Sequence, residues 1–218
     1  MNRRTLPAAI AFAATAALLL TACGGGDEEP EANDKIVGAD TGDTKKKESP
    51  STSAESAAGR PDLTLPKDIE ESFESWKLGD EKRNAILVDA GHAQSAVTYA
   101  VAKGDPEAAP LTFYQQGDAL VGSQDWVKSI VDSGKTFTGT VRYFSPDLTL
   151  FDEKSAALVY CADETKAFNK DRTTSKVEKS PASKDSYVLY SAHLEKSDGG
   201  VWQTTKLDSE RGNQKCTS

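Results

Sequence analysis

Every aromatic residue of this chain except Phe12 lies after Pro61. That distribution confines the fold. Gly24 to Arg60 holds nine acidic and five basic residues, no aromatic residue, and only Ile36 and Val37 as large apolar side chains. Such a stretch buries too little surface to offset the entropy of ordering, so residues 23–60 are expected to form a disordered linker. As a flexible chain it would span roughly 30–35 Å. A core has to come from residues 61–218. That stretch carries 25 acidic and 19 basic residues, a net of −6, and a domain of its size buries close to ~70% of its unfolded surface. No internal repeat is visible.

The first 22 residues have their own pattern. Arg3 and Arg4 precede an apolar run from Ala8 to Ala22, 15 residues long, where a spanning helix needs about 20. A basic start, an apolar stretch and small residues before a cut describe an export signal. Leu20-Thr21-Ala22-Cys23 then resembles the bacterial lipobox, in which the Cys thiol receives a diacylglyceryl group and becomes the first residue. The resemblance implies a lipoprotein signal peptide over 1–22 and a lipidated Cys23 that carries acyl chains of the palmitate type. The protein would then be a lipid-anchored membrane protein on the extracytoplasmic face of the cell envelope. Lipidation uses one of three cysteines. The remaining two, Cys161 and Cys216, are an even number in an exported chain, which implies a disulfide.

Within 61–218 the first half reads as helical. Pro66 suits a helix start, and Ile69, Phe73 and Trp76 recur at spacings of four and three. A second helix is expected from Glu81 to Lys103, with Ile86, Ala90, Ala93, Val97 and Val101 on one stripe and Gly104 and Pro106 ending it. A third, broken near Gly117 or Gly122, holds Phe113, Leu120, Trp126 and Ile130, with Gly134 as its cap. The second half reads as strands. Thr136 to Phe144 and Leu148 to Phe151 flank the turn signal Ser145-Pro146-Asp147. Ala156 to Cys161 suits a central strand, Tyr187 to Leu194 alternates, and Val201 to Leu207 returns after the loop Lys196 to Gly200. Helices first and antiparallel strands after predict an α+β domain with helices on one sheet face.

Three segments resemble a family of lipoproteins from streptomycetes and related actinobacteria. They are Gly139-Thr140-Val141-Arg142-Tyr143-Phe144-Ser145-Pro146, Leu158-Val159-Tyr160-Cys161-Ala162-Asp163 with the Lys166-to-Arg172 stretch, and Ser186-Tyr187-Val188-Leu189-Tyr190 with Gly200-Val201-Trp202-Gln203. The likeness covers most of Pro61 to Cys216 and implies an envelope lipoprotein of unassigned role. More remotely, the order of elements resembles the NTF2-like, cystatin-related fold. There, N-terminal helices lie in the concave face of a curved antiparallel sheet and leave a conical pocket. That fold hosts enzymes and binding modules alike, so it does not choose between them.

Few motifs carry chemistry. Ser133-Gly134-Lys135-Thr136 has the tail of a phosphate loop, but position 129 is Ser129, and here a helix leads into a strand, the reverse of the required order. Val121-Gly122-Ser123-Gln124-Asp125 lacks the second glycine of a nucleophile elbow. Asp163, Glu164 and Asp171 lack calcium-loop spacing. With the cysteines bridged, no zinc set remains, so neither metal nor cofactor is expected. His92 and His193 are the weak catalytic candidates, His92 through its neighbour Asp89. The basic run Lys166 to Lys179 reads as a solvated hairpin. Tyr99, Trp126, Tyr143, Tyr160, Tyr190 and Trp202 are the candidates to line a pocket, since tyrosine offers apolar area with a hydroxyl.

A net charge of −8 over the chain excludes a basic nucleic-acid face. The reading preferred on these grounds is a non-enzymatic binding or interaction module. Its partner would be a protein, a wall component or a small molecule. The alternative is an NTF2-like enzyme of isomerase, cyclase or hydratase type with a His or Asp base in the cone. A homodimer through the outer sheet face is a third option.

Overall fold

Helix α1 (Glu81–Lys103) is bounded by chemistry legible in the chain. Asp80 caps its start, its carboxylate accepting from the Lys82 and Arg83 N–H groups at 2.9 and 3.2 Å, and Gly104 ends it in the left-handed conformation. A computed structural model describes residues 59–217; the expected export signal, Cys23 and most of the expected linker lie outside these. Arg60, which composition assigns to the linker, belongs to the fold.

The elements run β1 (Ile69–Phe73), α1, α2 (Ala109–Tyr114), α3 (Gly117–Asp132), β2 (Lys135–Leu150), β3 (Ser155–Asp171), β4 (Val177–Glu178), β5 (Tyr187–Lys196), β6 (Trp202–Arg211) and α4 (Gln214–Thr217). The sheet order is β1-β2-β3-β5-β6, with β4 added to β3. All pairings are antiparallel except β1 with β2. This is the α+β arrangement expected, with helices on the concave side of a curved, unclosed sheet.

Three expectations need correction. Ile69 to Trp76 is not helical: Ile69–Phe73 is a strand parallel to β2. A spacing of four is common to one helical face and to one strand face, so Ile69 and Phe73 could not distinguish them. Ser145-Pro146-Asp147 is not a turn between two strands. It is a bulge inside the 16-residue β2, with Ser145 at φ 52°. A bulge tolerates a proline, which has no N–H to give the ladder. The actual turn comes later, where the Phe151 N–H donates to Ser155 O at 3.0 Å. Finally, β3 extends well past Cys161 to Asp171 and forms the expected hairpin with β4, closed by the Asp171 N–H donating to Lys176 O at 2.9 Å.

Alternation along the strands sends one set of side chains to the helices. Ala156, Leu158, Tyr160 and Ala162 of β3 and Val188, Ala192 and Leu194 of β5 are buried there, against Ile86, Leu87 and Ala90 of α1. Each fully buried Leu or Ile contributes roughly 1.5–3 kcal/mol. Farther along α1, Ala93, Ala96, Ala100 and Val101 meet Leu111 and Tyr114 of α2 and Val127 of α3. The β6 edge is covered by the α2–α3 junction, where the Gln116 N–H donates to Thr204 O at 3.0 Å. Cys161, out of phase with Tyr160, faces the other side of the sheet. Its disulfide to Cys216 fixes α4, with a Cα–Cα distance of 5.5 Å. No helix among the described residues is long and apolar enough to cross a membrane.

Candidate functional site

A partly open cavity of about 790 Å³ lies between α1, α3 and the concave face of the sheet. Sheet irregularities shape it. Between Thr140 and Arg142 the register with β3 slips by one residue. Beside that slip Gly139 sits at φ 102°, and a Cβ there would lie 2.0 Å from the Lys166 carbonyl oxygen. Only glycine permits the two strands to approach so closely. In β6, Thr205 is an extra residue opposite the His193–Leu194 step. The slip reverses the alternation, so Leu207, Ser209 and Arg211 point into the cavity where an unbroken strand would turn them away.

Helix α1 contributes Gln94, Val97 and Thr98, and α3 contributes Trp126 and Ile130. Trp126 packs against Phe137 of β2 with ring centroids 5.7 Å apart. On the sheet floor Tyr143 and Tyr190 face the cavity. Tyr143 is stacked on Phe73 at 4.9 Å, and Tyr190 on Tyr160 at 5.2 Å. Burial pushes the hydroxyls of Tyr143, Tyr160 and Tyr190 above the ordinary phenol range, so all three remain neutral hydrogen-bonding groups. Gln94 Nε2 donates to Tyr160 OH and orients it from above.

Three carboxylates stand on or beside this face. Glu164 and Asp185 line the cavity, and Arg211 Nη1 donates to Glu164 Oε2 at 2.7 Å and to the Asp185 carbonyl at 3.1 Å. Glu71 of β1 sits behind the wall, taking hydrogen bonds from Ser95 Oγ and Thr98 Oγ1, each at 2.6 Å. Burial raises its pKa despite those two donors.

Of the six aromatic residues expected to line a pocket, Trp126, Tyr143 and Tyr190 do so. Tyr160, the cross-strand partner of Tyr190, is 2% exposed, and Trp202 is 1% exposed in the core under α1. Tyr99 packs in the α1–α2–α3 cluster with Lys103 Nζ 5.3 Å from its ring centroid. Neither histidine is in the cavity wall. His92 packs against Tyr114 at 5.2 Å, and burial lowers its pKa, outweighing the opposing effect of Asp89. Asp89 is committed elsewhere: its carboxylate accepts from Arg60 and, at 2.9 Å, from the Trp202 N–H. His193 faces away from the helices, with its ring 6.1 Å from Phe151 and Nε2 3.6 Å from Glu195.

Sequence reasoning missed Glu71, Gln94, Glu164 and Arg211. Glu164 appeared only among acids lacking calcium spacing, and nothing local ties it to Arg211. The basic run Lys166 to Lys179 also has a structural use, since Arg172 donates to the Val101 and Ala102 carbonyls at the C-terminus of α1. Among the described residues no group of three His, Cys, Asp or Glu side chains converges as a metal site.

No protein-family model matches the sequence, and no curated protein matches it. Among solved structures, the chain is similar to a ketosteroid isomerase-like protein from Erwinia carotovora atroseptica, at 15% identity over 61% of this chain and 97% of that one, with a TM-score of 0.42. It is similar to a hexachlorocyclohexane dehydrochlorinase from Novosphingobium barchaimii at 14% identity, covering 61% and 90% of the two chains with a TM-score of 0.41. It is also similar to the intermembrane-space region of the chloroplast protein ARC6 at 11% identity, covering 62% and 99% with a TM-score of 0.40. At such identities and TM-scores these likenesses say nothing of activity.

Proposed function

We propose that this protein is a lipid-anchored envelope lipoprotein whose exported domain binds a small molecule in the concave cavity without transforming it. The supporting observation is the cavity: about 790 Å³, within the roughly 300–1,000 Å³ of sites that enclose small ligands. Its floor consists of neutral tyrosines and aliphatic side chains, and its Glu164 carboxylate is held by Arg211. Such a wall supplies contact area and hydrogen bonds. The lipobox-like Leu20-Thr21-Ala22-Cys23 and the actinobacterial lipoprotein motifs support the anchor and the extracytoplasmic location.

The test is thermal unfolding of the chain from residue 23 onward, with Cys23→Ser, against wall fragments and metabolites. A ligand at a hundred times its Kd adds about 2.7 kcal/mol, which raises Tm by about 5–10 °C in a domain of this size. A screen in which no compound moves Tm, with Trp126 still responsive to solvent quenchers, would sink the binding reading. Mass spectrometry of the membrane-extracted protein tests the anchor, and a mature N-terminus without acyl chains refutes it.

The competing enzyme reading has one residue in its favour, Glu71, whose raised pKa is the mark of many general bases. Both its oxygens are already occupied by Ser95 and Thr98, so it serves the wall before it serves a substrate. Turnover of any screened compound that Glu71→Gln abolishes would favour the enzyme.

A further inference from the structure

Buried apolar side chains line part of the cavity, and an ion pair stands where it meets solvent. Tyr143 and Val188 are 5% and 1% exposed. The side chains of Glu164 and Arg211 are 23% and 53% exposed, which places this ion pair at the mouth. Glu164 uses Oε2 to accept from Arg211, and Oε1 has no partner among the described residues. Among the described residues Arg211 donates to Glu164 and to the Asp185 carbonyl, both through Nη1. One acceptor oxygen and further N–H donors thus stand side by side at the entrance, with their charges mutually compensated.

We propose that the cavity takes an amphiphile with an uncharged, hydroxyl-bearing head group, and that the Glu164–Arg211 pair sets this preference. The inference rests on the binding reading and names the class of ligand. A hydroxyl both donates and accepts, so it satisfies Glu164 Oε1 and an Arg211 N–H at once without separating the two charges. An anionic head would lie against Glu164 and Asp185, both in the wall. Among the described residues the one cation lining the cavity, Arg211, is already committed to Glu164. A cationic head would have to displace Arg211 from its carboxylate. The first sets like charges side by side, and the second leaves Arg211 without its carboxylate. The apolar body of the amphiphile would lie along Val141, Val188, Leu207 and the rings of Phe137 and Trp126.

Three probes with one chain length separate the alternatives: monodecanoylglycerol, decanoate and decyltrimethylammonium, each below its micelle concentration. Trp126, 42% exposed, reports their entry by fluorescence, because Trp76 and Trp202 are buried. The protein is the chain from residue 23 onward with Cys23→Ser. Native protein is expected to bind the glyceride about ten-fold tighter than either charged probe. Glu164→Gln leaves Arg211 without its carboxylate and should bring decanoate up by about ten-fold relative to the glyceride. Arg211→Gln should do the same for decyltrimethylammonium. The two variants read the pair from opposite sides, so either one that folds, by circular dichroism, suffices. Equal affinity for the three probes overturns this inference and leaves the binding reading standing, as does a ranking that a folded variant leaves unchanged. Failure of all three probes to bind overturns this inference, and the binding reading falls with it only if the screen of wall fragments and metabolites also leaves Tm unmoved.

Discussion

Replacing Arg60 with alanine is expected to destabilise the domain by about 3 kcal/mol. Arg60 pairs with Asp89, whose side chain is 2% exposed on α1. Without the guanidinium, that carboxylate keeps only the Trp202 N–H at 2.9 Å. Removing one partner of a buried ion pair costs about 3–5 kcal/mol, because the other charge stays buried. The lower end applies here, since Arg60 is 27% exposed and partly screened. At about 2–4 °C per kcal/mol for a domain of this size, Tm should fall by about 6–12 °C. The reciprocal change, Asp89→Asn, should cost less, because an arginine so exposed can turn into water. Adding Asp89→Asn to Arg60→Ala should recover part of the loss. Urea unfolding followed by circular dichroism of all three variants completes the cycle. The reasoning fails if Arg60→Ala costs under about 1 kcal/mol, or if Asp89→Asn is the more damaging change.

Burial holds the Glu71 pKa above its unfolded value, so the folded state keeps that proton longer. Its contribution is therefore greatest below the unfolded pKa and is lost as pH rises through the folded one. Glu71→Gln should flatten the decline of Tm above the ordinary Glu pKa of about 4.3, and an unchanged pH profile would count against it. Gly139→Ala forces a Cβ to within 2.0 Å of the Lys166 carbonyl at a strained φ, a cost of at least about 3 kcal/mol. Soluble yield and Tm near the parent's would contradict that. Removing both Cys161 and Cys216 opens a crosslink with a sequence separation of 55. The loss should be about 4 kcal/mol in denaturant titrations, and reductant should have no further effect on the double variant.

The α1 boundaries were legible because caps act over a few residues: Asp80 satisfies N–H groups two and three positions on, and Gly104 bonds carbonyls three and four positions back. The Cys161–Cys216 bridge could be inferred once one cysteine was assigned to the lipid. The strand β1 was not legible. A five-residue segment with Ile69 and Phe73 four apart suits either period, and its hydrogen bonds come from β2, some seventy residues downstream. The site was legible only in part for a similar reason. Tyrosine and tryptophan content suggested an aromatic wall, but whether Tyr190 or Tyr160 meets the cavity depends on how the rings stack.

The sequence alone therefore determined the local features of this protein: an aromatic-bearing domain after residue 60, a long α1 with marked ends, and strands that alternate. It also carried the lipobox-like start on which the proposed anchor rests. Tertiary structure decided which side chains share a site. The Thr205 bulge in β6 shifts the alternation by one residue and turns Arg211 inward, where it meets Glu164 at a sequence separation of 47. Alternation specifies that neighbours face opposite ways. Which way is inward follows only from the register of the whole sheet.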